Sequence, residues 1–185
     1  MSLAEGLETE PLDASRSSDP TVAIAFGGGG ARGLAHIHVI EALDELGIRP
    51  VAIAGSSIGA MMGAGMAAGL TGAEIRNHAL NTIGKPTTAL TRLWSARPET
   101  MRQAIENGWR LGQFNAERIV GAFLPEGVPA TFEELHIPTK IVITDYFDHC
   151  EKVCETGNLR NAIAASAAIP AVFRPVERDG RIYVD

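Results

Sequence analysis

The chain has 185 residues, 45% of them hydrophobic and 21% charged, which suits one domain with a core of its own. Its net charge of −6, with no Lys/Arg cluster, argues against nucleic acid as a partner and against steady electrostatic docking on anionic membranes. Transient membrane contact through apolar surface stays open, but the longest apolar stretch, Ile58 to Leu70, is too short and too rich in Gly and Ala to span a bilayer.

Residues 1–20 hold Ser, Asp, Glu and Pro with few large apolar side chains, and read as a disordered leader without the features of a secretory signal. Thr21–Phe26 is an apolar run ended by four glycines, the pattern of a buried parallel strand. Leu34, Ile37, Ile40, Leu43 and Leu46 then recur at roughly helical spacing until Gly47 and Pro50. Val51–Ala54 predicts a second strand, and Ile58–Leu70 a helix of small residues and methionines. This β-α-β-α order predicts an α/β fold with a parallel sheet. Thr71-Gly-Ala-Glu74 is a capping-box pattern for a helix to about Ile83.

Pro98 can start a helix carrying Met101 and Ile105, and Asn115 can cap one through Phe123. Residues 84–138 therefore read as a helical insertion. Lys140–Thr144 predicts a strand, with Lys152–Glu155 pairing nearby in a hairpin. Asn158–Ala168 reads as a helix, and Asp179-Gly180 as the turn of a last hairpin between Val176–Glu177 and Arg181–Val184. Cys150 and Cys154 make no disulfide framework, so a reducing compartment, the cytoplasm, is expected. With His149 they still lack a second ligand cluster, and no metal is expected.

Gly55-Ser56-Ser57-Ile58-Gly59 is G-x-S-x-G between a predicted strand and a predicted helix. A serine on so sharp a turn sits in strained backbone, and glycines at both flanks remove the clash with neighbours. The following helix points its positive end at the site. Ser57 is thus a candidate nucleophile.

Gly27-Gly-Gly-Gly-Ala-Arg-Gly33 ends the first strand and opens a helix. Its amides can approach a phosphate or a developing oxyanion without a Cβ between. Gly28, Gly30 and Gly33 fit a dinucleotide-binding G-x-G-x-x-G, but the next strand ends Ile53-Ala54-Gly55 without the ribose-binding acid, and Leu34 stands where a Walker loop needs Lys. An oxyanion loop suits the position, because neighbouring parallel strands end at one edge of the sheet. Arg32 can brace that loop or simply face solvent.

A serine also needs a proton acceptor. His78, His136 and His149 follow Ser57 in the chain, and His36 and His38 lie on the helix after the glycine loop; each reads better as a structural or surface histidine. Among carboxylates, Asp179 is explained by its turn, whereas Asp145 and Asp185 both follow apolar strands. The residues alone do not separate these two.

Together, Gly28-Gly-Gly-Ala-Arg-Gly33, Gly55-Ser-Ser-Ile-Gly59 and the late Asp185 resemble the patatin-like phospholipases, whose signature is G-G-G-x-[RK]-G, G-x-S-x-G and D-G-[GA]. The resemblance covers residues 21–185, including Ile143-Thr-Asp145 and Ser166-Ala-Ala-Ile-Pro170. It implies a three-layer α/β/α fold with a mainly parallel sheet. It also implies lipid acyl hydrolysis by a Ser-Asp dyad without metal or other cofactor. On this resemblance Ser57 is the nucleophile and Asp185 the base. The amides of Gly28, Gly29 and Gly30 form the oxyanion hole, supported by Arg32, Gly33, Gly55 and Gly59. The third motif is cut after its aspartate, so the domain is expected to continue past residue 185. A nucleotide-binding protein and an inactive lipid-binding relative are the alternatives.

Overall fold

The structure, a computed structural model, describes residues 20–82 and 114–185. The leader up to residue 19 and the Pro98 helix of the expected insertion lie outside the described residues. The first expected strand forms as β1 (Ala23–Phe26), followed by a 3₁₀ segment (Gly30–Ala35) and α1 (His36–Glu45). β2 (Ala52–Gly55) leads into α2 (Ile58–Ala67), and α3 (Gly72–Thr82) follows. The capping box before α3 is real: Thr71 donates its amide and its hydroxyl to Glu74 Oε2, both at 2.8 Å, and Glu74 N–H returns to Thr71 Oγ1 at 3.2 Å.

Asn115 caps α4 (Ala116–Phe123) by accepting from Arg118 N–H at 2.8 Å. β3 (Thr139–Asp145) and β4 (Cys150–Cys154) form the expected hairpin, with both cysteines free on β4. Asn158 caps α5 (Leu159–Ser166) in the same way through Asn161 N–H. β5 (Val176–Arg178) and β6 (Arg181–Val184) close around Asp179 and Gly180, with φ 51° and 73°. That pair of positive φ values is what the Asp-Gly pattern anticipates in a two-residue hairpin. The first predicted helix is the main local departure: its opening residues, Leu34 and Ala35, belong to the 3₁₀ segment, and α-helix begins at His36.

The sheet is mixed. β1, β2 and β3 are parallel, with Phe26 opposite Gly55 and Gly55 opposite Ile141. β4 and β6 both pair antiparallel with β3, and β5 pairs with β6. At Ile141 the partners are Gly55 of β2 and Cys154 of β4, and at Thr144 they are Glu151 of β4 and Val184 of β6. A strand has two edges, so β4 keeps one while β2 and β6 share the other. β2 runs with β3 and β6 runs against it, so their C-terminal ends approach each other head-on. The stretch of β3 between Ile141 and Thr144, about 10 Å at a strand's rise, is where they meet.

One face of the sheet carries Phe26, Ile53, Ile141 and Ile143, all buried under the described helices. The central helix is α2, where Gly63 lets the backbone approach so closely that a Cβ there would stand 2.9 Å from Ile53. On the other face Ala23, Ala25 and Lys140 are exposed. Of the three expected layers, the described residues show the sheet and one layer of helices.

β6 is fastened to β3 by charge. Asp145, fully buried at the end of β3, accepts from Arg181 Nε at 2.6 Å and from the amides of Phe147 and Asp148 at 3.0 and 3.1 Å. Arg181 also reaches Asp148. The arginine bond, outweighing burial and helped by the two amides, holds the Asp145 carboxyl well below the usual carboxylate range. A depressed folded-state pKa stabilises the fold above the unfolded carboxylate pKa of about 3.9, and that contribution is lost as pH falls through the folded value. Arg181→Met removes the partner, so acid unfolding followed by circular dichroism should begin on the order of one pH unit higher than in the parent.

Candidate active site

The turn between β2 and α2 sets the site. Ser57 has φ 53° and ψ −124°, a left-handed conformation uncommon for a residue with a Cβ. The turn is tight because Ser56 N–H bonds Phe26 C=O at 3.1 Å, while Gly59 and Ala60 N–H groups return to Ser56 C=O. Glycine is obligatory on both sides: a Cβ at Gly55 would lie 2.7 Å from Ala60 Cα, and one at Gly59 would lie 2.1 Å from Phe26 O. Ser57 is the N-cap residue of α2 and is 7% exposed. Its hydroxyl thus lies at the positive end of that helix.

Ser57 Oγ donates to Asp185 Oδ2 at 2.7 Å across 128 residues of chain. Partial burial pushes the Asp185 carboxyl above its ordinary pKa, and the bond from Ser57 opposes that rise. Of the two carboxylates that the residues left open, Asp185 reaches the serine. Asp145 spends its oxygens on Arg181 and on turn amides, as an anchor.

The glycine loop lies directly against the serine. A Cβ at Gly28 would stand 3.4 Å from Ser57 Cβ, and Gly29 and Gly30 take φ 147° and 55°. These positive values shape the loop at a conformation open to glycine. Gly33 packs on the residue after the nucleophile position, where a Cβ would come 2.1 Å from Ile58 Cγ2. Arg32 contributes its amide, which bonds Gly29 C=O at 3.2 Å. His36 braces the loop: its Nε2 bonds Gly27 C=O at 2.9 Å, and its ring meets Phe26 edge-on.

Two of the other histidines are occupied elsewhere. His78 Nε2 bonds Phe123 C=O at 2.9 Å, and His38 pairs with Glu41. Among the described residues no group of three His, Cys, Asp or Glu side chains could hold a metal. None of their helices is long and apolar enough to cross a membrane.

Beside Ser57 a cavity of about 190 Å³ runs between α2, α3 and α4. Leu34, Ile58, Met61, Ile119, Phe123 and Phe173 give it apolar walls. Arg181, which fixes β6, carried no signal in the sequence, and Ser166, whose hydroxyl accepts from Ser57 N–H at 2.8 Å, stood out only within the Ser166–Pro170 segment of the resemblance.

A strained serine at the start of a buried helix, bonded to a carboxylate and faced by a glycine loop, has the strand–turn–helix form of a nucleophile elbow on an α/β sheet. The patatin-like phospholipase family profile matches residues 24–185, and the chain belongs to that family. It is 40% identical over 169 residues to an uncharacterized NTE family protein of Mycobacterium tuberculosis, covering 91% of this chain and 43% of the relative. Human patatin-like phospholipase domain-containing protein 6 is 27% identical over 172 residues, covering 89% of this chain and 11% of that protein. The chain thus spans less than half the length of these relatives.

Among solved structures, VipD from Legionella pneumophila aligns with a TM-score of 0.50 at 16% identity, over 87% of this chain and 45% of VipD. Full-length ExoU of Pseudomonas aeruginosa, in complex with SpcU, aligns with a TM-score of 0.51 at 19% identity, over 84% and 39%. These likenesses establish the shared fold.

The steric argument at the elbow is open to test. Gly59→Ala drives a methyl into the Phe26 carbonyl, so the turn must open. The variant should lose at least about 2 kcal/mol of stability in urea titration and lose reactivity of Ser57 toward a fluorophosphonate.

Proposed function

We propose that the protein is a serine hydrolase of lipid acyl esters working through a Ser57–Asp185 dyad. The observation that carries this reading is the 2.7 Å bond from Ser57 Oγ to Asp185 Oδ2 at a strained elbow. Family membership supports the substrate class.

Asp185 accepts the hydroxyl proton as Ser57 Oγ attacks the ester carbonyl. The carbonyl oxygen becomes an oxyanion, held by backbone amides of Gly28, Gly29 and Gly30, each worth on the order of 3 kcal/mol. The positive end of α2 adds to that field. Collapse expels the alcohol, which leaves with the proton from Asp185, and an acyl-serine remains. Water then attacks the acyl carbon while Asp185 takes its proton. Collapse of that second intermediate frees the acid and returns the proton to Ser57.

The apolar cavity beside Ser57 receives the acyl chain. At about 190 Å³ it is smaller than the roughly 300–1,000 Å³ of sites that enclose a whole drug-sized ligand. It therefore suits one chain, with the rest of the lipid outside. Exposed Tyr146, Phe147, Ile169 and Val172 offer apolar surface for transient contact with a lipid layer.

Treatment with a fluorophosphonate should add one adduct by intact mass to the parent and none to Ser57→Ala. Asp185→Asn should label at least about 100-fold more slowly. The base must be ionised, and partial burial raises its pKa. Labelling rate should therefore rise with pH along an acid limb centred above the ordinary aspartate value of about 3.9. A parent that is folded and unreactive would overturn the dyad. Ile119→Phe narrows the cavity and should depress hydrolysis of p-nitrophenyl octanoate about tenfold while sparing the acetate.

A further inference from the structure

The elbow's own amide is a demanding group. Ser57 N–H is turned inward by the positive φ and is buried, so without a partner it would carry the desolvation penalty of an orphan donor. Its partner is neither solvent nor the adjacent turn. Ser166 Oγ, 109 residues away at the last position of α5, accepts it at 2.8 Å. The Ser166 hydroxyl proton goes to Val142 C=O at 2.6 Å. Val142 belongs to the stretch of β3 between the end of β2 and the end of β6. Ser166 has no exposed surface, and with its proton on one side and a lone pair on the other its orientation is fixed.

The second member of the dyad is held from the same turn. Asp185 N–H bonds Ala168 C=O at 3.1 Å. The turn is itself tied back, with Ala168 N–H on Ala165 C=O at 3.2 Å and Ile169 N–H on Ala167 C=O at 2.9 Å. Ala168, like Ser166, is completely buried. Residues two apart on one short segment therefore hold the backbone of Ser57 and that of Asp185, which come from different strands.

We propose that the Ser166–Ala168 turn is the positioning device of the site, with Ser166 a positioning residue that sets where Ser57 Oγ stands relative to Asp185. This rests on the dyad reading above. Because both backbones hang from one segment, small shifts of α5 carry the pair together and preserve the 2.7 Å bond. Loss of the Ser166 hydroxyl frees the elbow alone. A misplacement near 1 Å at a reacting group lowers rate on the order of 100-fold.

The test measures fluorophosphonate labelling rate, kcat and KM on p-nitrophenyl butyrate, and the thermal midpoint. The proteins compared are the parent, Ser166→Ala, Ser166→Cys and Ile163→Val. Ile163 is a core residue of α5 whose trimming lowers stability without touching the Ser57 amide. Ser166→Ala should label about 10- to 100-fold more slowly, with the loss in kcat and KM within about twofold. Ser166→Cys, which keeps a weak acceptor, should fall between, and Ile163→Val should label like the parent below its own midpoint.

Labelling of folded Ser166→Ala at the parent rate would overturn the positioning role and leave the dyad standing. If Ser166→Ala does not fold, Ser166→Cys decides: labelling slower than Ile163→Val supports the role, and equal labelling overturns it. A parent that does not label at all overturns the dyad reading and this proposal together.

Discussion

The site depends on a constraint in the sheet: two strands share one edge of β3 and run toward each other. β2 ends at Gly55 opposite Ile141, and β6 ends at Val184 opposite Thr144. The residues that follow each strand therefore arrive in one short gap, from opposite directions. Neither strand could be extended without filling the space where Ser57 meets Asp185. Backbone pairing along β3 thus does what a long-range side-chain contact could not do alone, since it fixes the separation of two chain segments 128 residues apart.

Everything around that gap secures one of its two sides. On the β2 side, small residues let α2 settle against Phe26 and Ile53, and the glycines at 55 and 59 let the elbow close. On the β6 side, the buried Asp145 and its bond to Arg181 hold the hairpin onto β3. An ion pair whose carboxylate is buried is a poor source of net stability against an apolar replacement. Its value here is directional: it ties the start of β6 to the end of β3, in the register that delivers Asp185. The end of α5 spans the gap and touches both sides.

The same geometry separates polar groups from apolar space. The hydroxyl, the carboxylate and the glycine amides gather at the strand ends, while the cavity opens between helices on the buried face. Ser57 lies on the boundary because it is both the last residue of the turn and the cap of α2. On the proposed function, an ester held there would place its carbonyl beside the glycine loop and its chain among Leu34, Met61 and Phe123. That arrangement follows from putting a strand-to-helix turn at the rim of a core.

Much of this was legible in the sequence, because it rests on local rules. Strands ended by glycines, capping residues at Thr71 and Asn115, the Asp-Gly hairpin and the G-x-S-x-G turn each involve a few neighbouring residues with distinct backbone demands. Ser57 and the glycine loop were readable for the same reason, and Asp185 only with the help of a family resemblance. The choice between Asp145 and Asp185 lay beyond local rules, since both end apolar strands; it was made by which edge of β3 each neighbour occupies. The work of Ser166, Arg181 and His36 was equally hidden, because a serine in a helix or an arginine in a hairpin carries no mark of a distant partner. The sequence by itself determined where the backbone must bend and which groups could react. Only the tertiary structure decided which of them meet, because strand pairing and burial, not chain order, set the distance between a hydroxyl and a carboxylate.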